Sequence, residues 1–390
     1  MRLMTAAVLV AQAATVTGFD NPIHTYPSIP GTGIRTMISA DVNRDGYDDL
    51  LTMGRGFGRI DSRGFGVPGT EEDQLQVWLS LANGAFAGPL TQTCPIPDCG
   101  FVAGSLTGGG GLDIITDPGI WFRPFSLRLF PSEEDGLPGE PLTIALPEGE
   151  IAIATFIRTG RDGAKLDVFH VSGRDFQVDG FVRYGPLSLT TYRWAGSGLV
   201  RERSLIIHHC GGDIVHDRLL VRRNEGGYVI VPRGSQQGIK LSFDRFGRSF
   251  RKATIRLPFD VQDFQISDLD GDGREELAGI SSSGIRGRLF VQRLSGRLLT
   301  FQYPLLHSPG RLRTADFNGD GLTDVVLSQT DHGRVWFGSL YLGSERGLQE
   351  LPAKLRIERW GFSVGDFDGD GLSDLASFMP NQIWSLLNHR

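Results

Sequence analysis

Lysine is scarce in this chain. It occurs at Lys165, Lys240, Lys252 and Lys354, so nearly all of the 39 basic residues are arginine. No stretch reaches the basic density that nucleic-acid binding favours, and nucleic acid is set aside as a partner. The arginines between Arg218 and Lys252 read as one charged face of alternating strands. Cysteine is nearly absent as well, with three in the chain. Cys94 and Cys99 flank the proline-rich turn TCPIPDCG, which suits either a short-loop disulfide or two reduced thiols. Cys210 is left over as a small buried residue. No segment reaches the 18 or so apolar residues of a membrane-spanning helix. Also missing are G-x-S-x-G, H-E-x-x-H and a phosphate loop.

One cluster, IIHHCGGDIVHD, collects His208, His209, Cys210, Asp213, His216 and Asp217. Those residue types bind zinc or move protons elsewhere. Strand alternation would send His208 and His209 to opposite faces, so the segment reads as structural.

The N-terminus, MRLMTAAVLVAQAATVTG, has the layout of a secretory signal peptide. Arg2 is its positive region, Leu3 to Val10 its apolar stretch, and Ala11-Gln12-Ala13 its small-x-small cleavage site. The expected division is residues 1–13 as signal and 14–390 as one domain. Glycine (53) and proline (20) are plentiful, as a turn-rich all-β chain requires.

Four copies of one acidic loop carry the most information. They read DVNRDGYDD from Asp41, DLDGDGREE from Asp268, DFNGDGLTD from Asp316 and DFDGDGLSD from Asp366. Positions 1, 3 and 5 hold Asp or Asn, position 6 is Gly and position 9 is acidic. Oxygen donors at alternate positions of a turn converge on one centre and suit a hard cation, with Ca²⁺ the best match. The expected ligands are Asp41, Asn43, Asp45, Tyr47 and Asp49 in the first loop. They are Asp268, Asp270, Asp272, Arg274 and Glu276 in the second. In the third they are Asp316, Asn318, Asp320, Leu322 and Asp324, and in the fourth Asp366, Asp368, Asp370, Leu372 and Asp374. The residue at position 7 would offer its backbone carbonyl. Carboxylates held by calcium make poor proton shuttles, which favours a structural role.

An EF-hand is excluded, because position 12 is Thr52, Gly279, Leu327 or Ser377 rather than a bidentate Glu. The runs that follow (LLTMG, LAGIS, VVLSQ and LASFM) are of strand length, so the unit is strand, tight loop, strand. At these residues the chain resembles the FG-GAP and VCBS-type repeats of integrin α-subunit propellers and bacterial surface proteins.

Three weaker copies can be aligned at Ser105, Arg158 and His209, keeping Asp113, Asp167 and Asp217. With the four clear loops they make seven units, roughly 50 to 60 residues apart, the spacing of four-stranded blades. The expectation is an all-β, seven-bladed β-propeller. Its last unit has three strands, and a strand within residues 19–29 should complete it by pairing with residues 383–387.

The largest insertion, residues 54–73, repeats Arg-Gly-Phe-Gly. The resemblance places it on the face opposite the acidic loops, where integrin propellers bind partners, and makes Arg55, Phe57, Arg59, Arg63 and Phe65 binding candidates. A flexible solvated loop is the alternative. The function expected is an exported, calcium-stabilised, monomeric binding or scaffold module, secreted, periplasmic or on the cell surface, with a protein or carbohydrate partner. The competing reading is a secreted lyase or hydrolase acting on polysaccharide or phosphoester, or an accessory part of one. A periplasmic assembly factor is a third.

Overall fold

A computed structural model describes residues 23–25, 33–57, 71–94, 100–109, 111–117, 126–133, 137–146, 150–160, 163–178, 181–208, 219–224, 226–243, 250–283, 286–294, 301–305, 307–331, 335–344, 346–357, 361–379 and 382–389. Among the described residues every regular element is a strand. The signal-peptide region, Cys99, Cys210, His209 to Asp217, Arg59, Arg63 and Phe65 lie outside them, as do the side chains of Arg55, Phe57, Cys94 and His208.

The first strand, β1 (Ile23–Thr25), stands apart from those that follow it. Blade one is β2 (Gly33–Ala40), β3 (Asp49–Phe57), β4 (Glu71–Trp78) and β5 (Leu90–Cys94). Blade two is β6 (Gly100–Gly104), β7 (Asp113–Asp117), β8 (Ser126–Phe130) and β9 (Leu142–Ala145). Blade three is β10 (Glu150–Gly160), β11 (Gly163–Val178), β12 (Phe181–Trp194) and β13 (Leu199–His208). Blade four is β14 (Leu219–Asn224), β15 (Gly227–Pro232), β16 (Gln237–Phe243) and β17 (Phe250–Arg256). Blade five is β18 (Asp263–Ser267), β19 (Glu276–Ser283), β20 (Arg286–Arg293) and β21 (Phe301–Leu305). Blade six is β22 (Ser308–Ala315), β23 (Asp324–Asp331), β24 (Val335–Leu342) and β25 (Gln349–Leu355). Blade seven is β26 (Phe362–Gly365), β27 (Asp374–Met379) and β28 (Gln382–Leu386), completed by β1.

Each blade is a four-stranded antiparallel meander, and the seven form the expected β-propeller. Ring closure follows the expected pairing: Ile23 lies opposite Ser385, His24 opposite Trp384 and Thr25 opposite Ile383.

The burial pattern explains the closed ring. Inner strands are apolar on both faces, as in β15, where five of six residues are buried. The outer strand β17, FRKATIR, is mostly exposed and carries the charge. Both faces of an inner strand must therefore be covered by neighbouring blades. Among the described residues seven apolar clusters do so, one at each blade junction. Leu269, Ile280 and Leu289 of blade five meet Leu312, Val325 and Tyr341 of blade six. At the seam, Leu50, Trp78 and Phe86 of blade one meet Phe367, Phe378 and Ile383 of blade seven. Burying one such Leu or Phe contributes about 1.5–3 kcal/mol.

Two of the weaker repeats differ in form from the clear ones. The residues Arg158 to Asp167 do not make a nine-residue loop. Arg158 pairs with Lys165 and Gly160 with Gly163, so β10 and β11 stay paired through the stretch that forms a loop in the acidic blades. Of the donors at positions 1, 3 and 5 this unit keeps Asp162 alone. His209 to Asp217 lies between β13 and β14, strands of successive blades. The first turn of blade four comes later, between Asn224 and Gly227.

Candidate metal loops

The four acidic loops join the first and second strands of blades five, six, seven and one, which are consecutive around the ring. They form one arc on one face, and the arc spans the seam where the chain ends meet.

Each loop repeats one hydrogen-bond scheme. The position-1 carboxylate accepts the amide of the position-6 glycine: Gly46 to Asp41 at 3.2 Å, Gly273 to Asp268 at 2.9 Å, Gly321 to Asp316 at 2.9 Å and Gly371 to Asp366 at 3.0 Å. Position 3 accepts the amide of position 5, and position 5 accepts the amide of position 7, as in Leu322 to Asp320 at 2.8 Å. The backbone thus folds around the side-chain oxygens before any ion is considered. The turn needs φ > 0 at position 4, which Gly271, Gly319 and Gly369 adopt freely. Arg44 holds it at φ 61°, the one non-glycine residue to do so among the described residues. Its guanidinium reaches the carbonyl of Gly111 at 3.3 Å, in the loop of blade two.

Position 9 does more than the sequence reading assigned to it. Asp49, Asp324 and Asp374 are fully buried. Each accepts the amide of position 2 on one oxygen: Val42 at 3.0 Å, Phe317 at 2.8 Å and Phe367 at 2.8 Å. The other oxygen accepts an amide beyond the third strand: Ser80 at 2.8 Å, Gly343 at 2.7 Å and Asn388 at 2.7 Å. The same latch occurs in blade two, which has lost the other donors. There Asp113 accepts the amides of Leu106 (2.6 Å), Thr107 (2.6 Å) and Ser132 (2.8 Å). In blade three Asp167 is held by side chains instead: Arg158 Nε at 2.6 Å, Thr191 Oγ1 at 2.6 Å and Tyr228 Oη at 2.8 Å. The signal for this role was present in the sequence, since in blade two position 9 survives where the acidic donors at positions 1, 3 and 5 do not.

Burial is costly for these groups. It raises Asp49 to about 6, and Asp324, Asp374 and Glu276 each to about 7, despite the amides that favour the anions. Neighbouring loop carboxylates push in the same direction. A divalent cation is the natural neutraliser. The donor oxygens of Asp268, Asp270 and Glu276 lie within 4.8 Å of one another, and so do those of Asp366, Asp368 and Asp374. That spread fits a shell of metal–oxygen distances near 2.4 Å. In blade seven, His389 Nδ1 also stands 3.4 Å from Asp368. In blade five, Arg293 lies among the carboxylates.

The loops are linked into a chain. The Asp48 amide donates to the Asp366 carbonyl at 2.8 Å, and the Ser373 amide to the Asp316 carbonyl at 3.3 Å. Ser267 and Thr323 share a hydroxyl hydrogen bond of 2.8 Å between blades five and six.

A separate polar chain crosses blade three. Glu150 contacts His170 Nδ1 at 2.7 Å, His170 Nε2 contacts Thr190 at 2.7 Å, and Thr190 contacts Ser204 at 2.8 Å. Thr190 is fully buried and His170 almost so, and burial lowers the histidine to about 4. A neutral imidazole buried between strands serves here as a cross-strand tie.

The family model for FG-GAP-like repeats matches residues 268–327 and 316–377, the loops of blades five, six and seven. Integrin alpha-PS3 of Drosophila melanogaster is 30% identical over 146 residues, covering 29% of this chain and 13% of the integrin. The chain therefore spans a small part of that relative's length. Among solved structures, BBS1N in complex with ARL6DN superposes with a TM-score of 0.56 at 10% identity, covering 96% of this chain and 98% of that one. A Lactobacillus plantarum protein gives a TM-score of 0.51 at 13% identity, covering 85% and 86%. Both share the fold.

Proposed function

Since the chain is an FG-GAP repeat propeller of the integrin α-like kind, we propose that it is an exported binding module. Calcium in the acidic loops holds the ring in shape, and a protein docks on it. The observation that carries this reading is the uninterrupted arc of oxygen-lined loops across the seam. Calcium would supply positive charge at each loop, held by positions 1, 3, 5 and 9 and the carbonyl at position 7. Extracellular calcium is concentrated enough to fill loops of modest affinity, which is why export and metal belong to one proposal.

The docking surface we propose is the face opposite the loops. Arg55 and Phe57 close β3 at the end remote from its loop, and Arg59, Arg63 and Phe65 follow in the sequence that leads to β4. Arginine and aromatic side chains are the residues that dominate protein interfaces. The test has two arms. Calorimetry on the mature protein should show several calcium ions bound per chain. Pull-down with and without EGTA, beside a glycan array, should give a calcium-dependent protein partner that is lost on replacing the five insertion residues by serine. No bound calcium would end the metal half. A glycan hit without a protein would replace the partner class.

A further inference from the structure

The loop of blade five differs from the other three in two coupled ways. Its position 9 is Glu276, where the others have Asp49, Asp324 and Asp374. Opposite Glu276 across the sheet stands Arg293. In the other three acidic-loop blades the same register position is apolar. Leu50 pairs with Trp78, Val325 with Tyr341 and Leu375 with Leu386, which sets Asp49, Asp324 and Asp374 opposite Leu79, Leu342 and Leu387.

Arg293 is directed into the loop. Its Nη2 lies 2.7 Å from Asp270 Oδ2 and 2.9 Å from Asp272 Oδ2, and its Nε lies 3.6 Å from Glu276 Oε1. These carboxylates are the ones that positions 3, 5 and 9 offer an ion. Glu276 Oε2 accepts the Leu269 amide at 3.1 Å, as position 9 does elsewhere. Its Oε1 is buried and has no hydrogen-bond partner, whereas the matching oxygen in the other loops accepts a backbone amide. The longer side chain gives up that amide and turns its free oxygen toward the guanidinium. A small cavity lies beside the group, bounded by Val291, Gly347 and Leu348.

We propose that blade five carries its own cation. Arg293 neutralises the loop when metal is scarce, and a divalent ion must displace it to enter. This rests on the calcium reading for the remaining loops but not for blade five itself. The arc then holds three metal-dependent joints and one that stays closed without metal. A guanidinium suits the task because its planar fork reaches two carboxylates at once.

The experiment compares wild type with R293L, which installs the residue of the other blades, and with R293Q, which keeps length but removes charge. In EGTA at low salt, both variants should melt several degrees below wild type, and high salt should narrow the gap. Equilibrium dialysis with calcium alone should show the weakest site of wild type tightened on the order of tenfold or more in the variants, since a competing unit charge has gone. The proposal is overturned if the variants melt with wild type in EGTA, or if all four sites bind equally before and after substitution. If no protein binds calcium, the calcium reading falls, and the EGTA melting difference alone decides the role of Arg293.

Discussion

The amide of Asp48 donates to the carbonyl of Asp366 across 2.8 Å, and the carboxylate of Asp48 accepts the amide of Asp366 at 3.0 Å. Residues more than 300 positions apart are thereby joined twice, loop to loop, at the seam. An ion that orders either loop orders the junction between the chain's first blade and its last.

Calcium removal should weaken the molecule on that side. A ligand present at a hundred times its dissociation constant stabilises the fold by about 2.7 kcal/mol per site. EGTA should therefore lower the melting temperature by several degrees, and excess calcium should restore it. Scanning calorimetry checks this.

Ligand and latch positions should separate by mutation. D320A removes a position-5 donor and should cost stability in calcium, with little effect in EGTA. D113A removes the latch of blade two and leaves three amides without their acceptor. It should cost about 3 kcal/mol whether or not calcium is present. Urea melts of both variants under both conditions make the comparison.

The pH dependence follows from the raised carboxyls. Asp324, Asp374 and Glu276 stand near 7 in the fold, above the ordinary carboxylate range. A group raised on folding contributes stability that is complete below about pH 4 and is lost as pH climbs through its folded value. In EGTA the melting temperature should therefore fall between pH 5 and pH 7.5. With saturating calcium the fall should shrink or reverse, because binding requires the anions. Calcium binding near pH 7 should release protons, visible as a buffer-dependent heat.

The seam strand should protect against association. Deleting residues through Thr25 strips β28 of its outer partner and bares its amides and carbonyls. An unpaired edge recruits another chain. Light scattering after size exclusion should show dimers or larger species, while the full chain should elute as a monomer.

The acidic loops were legible in sequence because their constraints are local. Asp at alternate positions with glycine at position 6 makes a turn that needs no distant partner. Blade count was legible from the period, and the closing strand from the missing fourth member of the last unit. Blade three was less so. With two of its three donors gone, strand pairing runs on to Gly160 and Gly163, and no pattern fixes such a length. The dual role of position 9 depends on amides some 14 to 31 residues away, at Asn388, Gly343 and Ser80. Arg293 escaped for the same reason, although Glu276, the lone Glu among four position-9 residues, was the visible clue.

Among the described residues the seven junction clusters leave no blade with an interior of its own. Every apolar face is shared with the blade before or after it, so the ring works like the staves of a cask, each held by its neighbours. Excising one stave would strip two others of their cover at once. A shorter piece of this ring should not fold on its own, and a limited digest should move from intact chain to small peptides without a stable fragment between.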